Sequence, residues 1–302
     1  MPRAVGVDIG DDVVRAVVLK KRGQQFIAAG VGVSEIPLTD DWREAGQALA
    51  EALKGAGAKK RDPVVCSIGG PQVIIRLVKL PAIPLQRIVE AIRWQFRETG
   101  LLPEGDLVFD AQVLQTTPGG ELNILAVCAP RGLLDKKLKL VETAGIVPLH
   151  IDVEPLATLN AFLSLQSVAL DETIVLVSLS EPLPFLCLYN RQSQFPLIRY
   201  FSEGLENPAS IVEEIRTSVT YFQAELAAPG TSLRCLYCGN QERFAGLKDQ
   251  MASLLNLWNL REQAAAFDPL AILEWERSIL PAGKLIQGTE LAQAVGLALR
   301  AL

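Results

Sequence analysis

The chain has 302 residues, 49% hydrophobic and 21% charged, enough apolar surface for two ordinary domains or one two-lobed unit, and disorder is excluded as its main state. Lys and Arg number 29 against 34 for Asp and Glu, and a net charge of -5 leaves no basic field for a nucleic-acid backbone. One histidine, His150, and five cysteines spread from Cys66 to Cys238 argue against a His-based catalyst, a His-rich metal site or a disulfide framework.

The apolar runs at 174–179 and 183–189 stop well short of the ~20 residues that span a bilayer. Arg3 and Asp8 interrupt any signal-peptide core, so the expectation is a soluble, cytoplasmic protein. Residues 4–9, 13–20 and 26–33 read as a β-meander turning at 10–12 and 22–23. Asp40 or Asp41 then caps a helix with Trp42, Ala45, Leu49, Ala52 and Leu53 on one face. A strand at 64–68 ends at Gly69 and Gly70, and another at 73–80 is stopped by Pro81. Pro84 opens a helix whose Leu85, Ile88, Val89, Ile92 and Phe96 follow a buried stripe. Strands at 107–116 and 122–129 precede a helix carrying Leu133, Leu134, Leu138 and Val141, with Gly145 just past its end. A strand at 148–153 and a helix from about Pro155 close the first half.

The pattern then recurs. Strands at 175–179, 182–189 and 195–201 form a second meander, and an offset of 170 sets Asp8 opposite Ser178, Gly10 opposite Ser180 and Asp11 opposite Glu181. Two meanders each followed by helices predict two related α/β lobes facing one another. Asn207 caps a helix over 208–226 that buries Ile211, Val212, Ile215, Val219, Phe222 and Leu226. A strand at 233–237, a helix at 241–255 and an amphipathic helix over about 290–302 follow. Cys235 and Cys238 form a lone C-x-x-C, read as strand residues entering the turn at Gly239.

Several segments carry a family resemblance. They are V-G-V-D-I-G at 5–10 with Val14 and Arg15 after it, R-L-V-K-L-P-A-I-P at 76–84, A-I-R-W at 91–94, D-A-Q-V-L at 110–114, I-D-V-E-P-L-A at 151–157 and A-V-G-L-A-L-R at 294–300. Together they resemble the actin-like ATPase superfamily and, within it, the type IV pilus assembly PilM family, with FtsA and GspL as relatives. The resemblance implies an α/β actin-like ATPase fold of two duplicated, ribonuclease-H-like lobes with an inserted subdomain. The expected divisions are a first lobe at 1–71 and 149–172, the insert at 72–148, a second lobe with a shortened lid at 173–285, and a returning helix at 286–302. It also implies a scaffold on the cytoplasmic face of the inner membrane. The partners are the tail of a PilN-like bitopic membrane protein and other platform or motor proteins of a pilus or secretion machine. Direct membrane insertion is not expected, and self-association stays open.

In this fold the nucleotide phosphates lie between the two meander turns. Asp8 and Gly10 keep the first loop, but Asp11 and Asp12 stand where small hydroxyl residues face phosphate. Two unit charges about 4 Å apart interact by roughly 4 kcal/mol at an effective dielectric near 20, so unpaired carboxylates there repel ATP. The second loop has Ser178, Leu179 and Ser180 where the family has Asp, an apolar residue and Gly, and then Glu181 and Pro182. Proline offers no N–H. The adenine turn keeps a single glycine, Gly239, and only a few residues separate Phe201 from Pro208 where the family carries a longer lid. The expectation is a pseudo-ATPase without catalytic residues, metal or cofactor, whose Asp8, Gly10, Asp11, Asp12, Ser178, Ser180 and Gly239 are a vestigial site. The alternatives are weak Mg-ATP binding through the two serine hydroxyls, or an active ATPase or GspL-like component that still binds ATP.

The expected partner surface lies beside the insert. Arg93 and Arg97 are one helical turn apart and Trp94 lies off the buried stripe, a composition typical of binding hot spots, with Arg76 and Lys79 on the preceding strand. The competing reading has Trp94 covering the neighbouring sheet and Arg93 paired with Glu90. His150 reads as a structural residue beside a strand, and Glu213 with Glu214 as a solvated helix face.

Overall fold

The computed structural model describes residues 1–37, 42–98, 100, 102, 105–180, 183–202, 207–227, 230–257, 264–276 and 287–302. β1 (Arg3–Ile9), β2 (Val13–Arg22) and β3 (Gln25–Glu35) form the first antiparallel meander. α1 (Trp42–Gly55) lays Leu49 and Ala52 on it, while its expected caps Asp40 and Asp41 lie outside the described residues. β4 (Val64–Ile68) runs parallel to β1.

The insert follows as β5 (Ile74–Leu80), a 3-10 turn at Leu85–Arg87, α2 (Ile88–Glu98), β6 (Leu107–Thr116) and β7 (Leu122–Pro130). β7 is the central strand of this three-stranded sheet. Its side chains alternate as a pleated strand requires. Leu122, Ile124, Ala126 and Cys128 pack under Ile88, Ile92 and Phe96 of α2, and Leu125 and Ala129 face the main core. α3 (Arg131–Thr143) was expected within the insert, but Val141 and Leu140 join α1 in the first lobe's core. It ends as predicted: Gly145 takes φ +72, and the Ile146 N–H reaches back to the Val141 carbonyl at 3.1 Å.

β8 (His150–Val153) pairs parallel with β4 and leads into α4 (Glu154–Leu165). The second lobe contains β9 (Glu172–Leu179), β10 (Phe185–Asn190), β11 (Leu197–Tyr200), α5 (Pro208–Glu225), β12 (Ser232–Gly239), α6 (Gln241–Leu257), β13 (Ala265–Ala266) and α7 (Pro269–Ile272). The Asn207 carboxamide caps α5 by accepting from the Ser210 N–H at 3.3 Å. β14 (Glu274–Trp275) has already crossed back to pair with β3 of the first lobe. The return therefore precedes 285, a boundary that falls outside the described residues.

The two large sheets share one topology. The first runs β14, β3, β2, β1, β4, β8, and the second β11, β10, β9, β12, β13. The offset of 170 is kept in the ladders: Asp8 faces Arg15 across β1 and β2, and Ser178 faces Phe185 across β9 and β10. Between the sheets lie α4 and the closing element, a 3-10 turn at Gly288–Leu291 running into α8 (Ala292–Leu299). All eight residues of α8 are buried, so the amphipathic helix expected from sequence is instead enclosed on every side. Two glycines allow this. A Cβ on Gly6 would sit 1.9 Å from the Ala294 carbonyl oxygen, and one on Gly296 would sit 1.7 Å from that of Ala157. Among the described residues, no helix is long and apolar enough to cross a membrane.

Candidate functional site

Asp8 is buried one residue before the end of β1, and hairpin register puts Arg15 directly across from it. The Arg15 guanidinium approaches one carboxylate oxygen at 3.5 Å. The Gln293 amide of α8 donates to the other at 2.8 Å and to the Ser67 hydroxyl at 3.0 Å. Burial raises the Asp8 pKa, opposed by Arg15 and Lys137. Both oxygens of the residue that would face a nucleotide's metal are thus engaged within the protein. Arg15 also lies 3.9 Å from Glu290, which extends the charge cluster.

The first loop is the tight turn Gly10–Asp11–Asp12, closed by the Gly10 N–H donating to the Val13 carbonyl at 2.9 Å, with Asp11 and Asp12 exposed. Lys137 of α3 anchors its base by donating to the Ile9 carbonyl at 3.2 Å. Glu154, first residue of α4, adds another acid. Burial pushes its carboxyl up to about 7; Lys137 opposes this, and Asp8 and Asp11 add to it. Its carboxylate fills the space beside Gly69, where a Cβ would lie 1.8 Å from Oε2.

From the second lobe, Ser178 is buried and its hydroxyl meets that of Ser180 at 3.2 Å. Glu181 and Pro182 lie outside the described residues. Gly239 holds φ +93, and a Cβ there would lie 2.8 Å from the Ser180 nitrogen, so this glycine serves close packing of β12 on the end of β9. The Thr289 hydroxyl donates to its carbonyl at 2.7 Å. Leu183 comes within 3.8 Å of the space above Gly70, and burial and Glu154 raise the Tyr200 pKa. The structure therefore brings Asp8, Gly10, Asp11 and Asp12 together with Arg15, Ser67, Lys137, Glu154 and Gln293, none of which was a candidate from sequence. Among the described residues, no group of three or more His, Cys, Asp or Glu could hold a metal ion. Mg-ATP fits this set poorly: Asp8 is committed internally to Arg15 and Gln293, and Asp8, Asp11 and Glu154 form an acidic cluster in which the two aspartates raise the Glu154 pKa.

The expected partner residues sit on the α2 side of the insert. The Arg93 guanidinium lies 5.0 Å over the Phe109 ring, a cation–π contact instead of the alternative pairing with Glu90. Trp94 is 65% exposed, so it does not cover the sheet, and Arg76 and Arg97 are exposed too. A concavity lies on the opposite side of that sheet. A groove of about 650 Å³ runs between β6 and β7, the β8–α4 segment, and the β10–β11 turn. Leu125, Val127, Leu156 and Leu163 give it apolar walls, and Asp110, Asp152, His150 and Arg300 its charged groups.

No protein-family profile matches the chain, and no curated protein sequence matches it. Solved structures do. The PilM-PilN type IV pilus biogenesis complex aligns with a TM-score of 0.79 and 20% identity, over 99% of this chain and 98% of that one. A Bacteroides thetaiotaomicron protein of unknown function with an actin-like ATPase fold aligns at 0.53 and 10% identity, over 88% and 91%. The cytoplasmic domain of EpsL, an inner-membrane component of the Vibrio cholerae type II secretion system, aligns at 0.49 and 10%, over 78% and 82%, too loosely to bear on function. At these identities the likeness establishes the fold: the chain adopts the actin-like ATPase fold.

Proposed function

We propose that this protein is a cytoplasmic scaffold of a type IV pilus inner-membrane platform, holding the cytoplasmic tail of a PilN-like bitopic membrane partner beside a degenerate nucleotide site. The observation that carries this reading is the contrast between its two clefts. The phosphate cleft is occupied by the protein's own ion pairs, with Asp8 bonded to Gln293 and faced by Arg15. The groove beside the insert is open, apolar-walled and large enough for several peptide residues. A working ATPase keeps a metal-facing acid free and small donors around the phosphates; here the acid is neutralised and the second loop offers two hydroxyls bonded to one another. The full-length likeness to the PilM-PilN complex supports the choice of partner.

The test is a pull-down of the cognate tail by the full chain and two variants. Leu156→Arg places a charge in the groove wall and is expected to abolish capture. Arg93→Ala with Trp94→Ala is expected to leave it intact, which would keep the α2 face for another platform or motor protein. Loss of capture in the second variant alone would move the tail to α2. No capture by the unaltered chain would sink the scaffold reading.

A further inference from the structure

The three parallel strands of the first lobe, β1, β4 and β8, begin at one end of their sheet, the end away from the Gly10–Asp12 turn. β4 lies between the other two, and register sets Val5 beside Val64 and Val65 beside His150. The segments that feed β4 and β8 therefore meet on one edge of the molecule. Backbone bonds fix them there: the Val5 N–H donates to the Pro63 carbonyl at 2.9 Å, and the Leu149 N–H to the Val64 carbonyl at 2.7 Å.

The segment before β4 is basic. Lys54 stands in the last turn of α1, and Lys59, Lys60 and Arg61 follow, all exposed. The one acid within 54–63, Asp62, is already engaged: Arg3 pairs with it at 3.0 Å, and it accepts the Lys59 N–H at 2.9 Å. Among the described residues, none of the four cations has a counter-ion. The segment before β8 is apolar. Residues 143–149 carry no charged side chain, and Val147 is 88% exposed and Leu149 53%. Val147 is the most exposed large hydrophobic residue of the described chain.

Charge complementarity identifies what covers this edge. The whole chain carries a net charge of -5, so four free cations here make a local basic field on an acidic molecule. A soluble polyanion would use the cations and leave the valine and leucine in water. An anionic bilayer uses both, since headgroup phosphates take Lys and Arg while apolar side chains beside them enter the acyl boundary. We propose that this edge of the first lobe docks on an anionic membrane surface, with Lys54, Lys59, Lys60 and Arg61 on lipid phosphates and Val147 and Leu149 in the interface. The attachment is reversible and lies on the bilayer without spanning it. It goes beyond the scaffold reading, which brings the chain to the membrane through a protein partner alone. Lipid contact at the strand-start edge turns the Gly10–Asp12 loop away from the bilayer and adds to whatever affinity a membrane-anchored partner supplies.

The test is co-sedimentation of the full chain, with no other protein present, on vesicles of phosphatidylcholine alone and of equimolar phosphatidylcholine and phosphatidylglycerol. Binding is expected on the anionic vesicles only. It should fall at least about tenfold as ionic strength rises from about 0.1 M to about 1 M, where the Debye length shrinks from about 10 Å to about 3 Å. Lys59→Glu with Lys60→Glu and Arg61→Glu is expected to weaken it by more than about tenfold. Val147→Ser with Leu149→Ser is expected to weaken it about fivefold and to keep the salt dependence. Arg93→Ala with Trp94→Ala, on the α2 face, is expected to bind like the parent. Equal binding to both vesicle types would overturn the proposal, as would loss through the α2 variant with the charge-reversed loop unaffected. No binding to the anionic vesicles would overturn it as well and leave this edge to an acidic protein surface. Since the vesicles carry no partner, each of these failures leaves the scaffold reading standing, and failure to capture the tail leaves the lipid contact standing.

Discussion

Glu154 has a testable consequence at the residue scale. Its folded carboxyl titrates near 7 because burial outweighs Lys137, above the ordinary glutamate value of 4.5. An acid whose pKa rises on folding binds more protons in the native state, so its contribution to stability falls as pH rises from about 4.5 through 7. Glu154→Gln should therefore flatten this part of the stability profile and exceed the parent by on the order of 2 kcal/mol at pH 8, measured by urea unfolding between pH 5 and 8. A variant no more stable than the parent at pH 8 would show that Glu154 is ionised at little cost. Asp8 and Arg15 give the second residue-scale prediction. Arg15→Ala leaves a buried carboxylate without its counter-ion and should cost about 3 kcal/mol, and adding Asp8→Asn should restore part of that loss. Additive losses in the double mutant would mean that the pair is not coupled. Arg15 sits where counting outward from the Gly10–Asp12 turn places it, across from Asp8, although nothing in the sequence marked it as a site residue. Gln293 was not legible, since 285 residues separate it from Asp8 and no local pattern links them. The commitment of Glu154 to the space beside Gly69 was equally invisible.

At the scale of elements, periodicity served where one face of a helix is buried. Ile88, Ile92 and Phe96 of α2 and Ile211, Ile215, Val219 and Phe222 of α5 face inward as their spacing predicts, whereas Leu85 and Val89, expected on the same α2 stripe, are exposed. It failed for α8, whose Gln293 reads as a solvent-facing position but is buried with its amide on Asp8. Substituting Gly296 separates helix propensity from packing. Alanine is intrinsically better in a helix by ~1 kcal/mol, but its Cβ would meet the Ala157 carbonyl, so Gly296→Ala should destabilise by about 2 kcal/mol net. Gly132 of α3 has nothing within 4 Å of an added Cβ, and Gly132→Ala should stabilise by about 0.5–1 kcal/mol. Thermal melts of the two variants moving in the same direction would contradict the close approach of α8 and α4. The two-residue strands β13 and β14 carry no sequence signal, because their pairing is decided by where β12 and β3 lie.

The duplication was legible at the scale of the whole molecule, since the offset of 170 that matched turns in sequence also matches ladder positions in the two sheets. The groove was not. Its walls come from residues near 110, 150 and 194, which become neighbours only when three sheets meet. The sequence drew attention to Arg93 and Trp94 because aromatic and basic residues stand out locally, whereas two aspartates on separate outer strands do not. On the proposed scaffold reading the chain keeps the actin-like frame, Asp8 is held by Arg15 and Gln293 in place of a metal, and the partner surface is the groove beside the insert. The most direct test is a calorimetric titration of the cognate tail into the full chain, first without nucleotide and then with Mg-ATP. A scaffold with a lost nucleotide site is expected to show equal tail affinity in both and no heat from Mg-ATP alone. Mg-ATP binding in the low micromolar range, or tail binding that requires it, would contradict a nucleotide-independent scaffold.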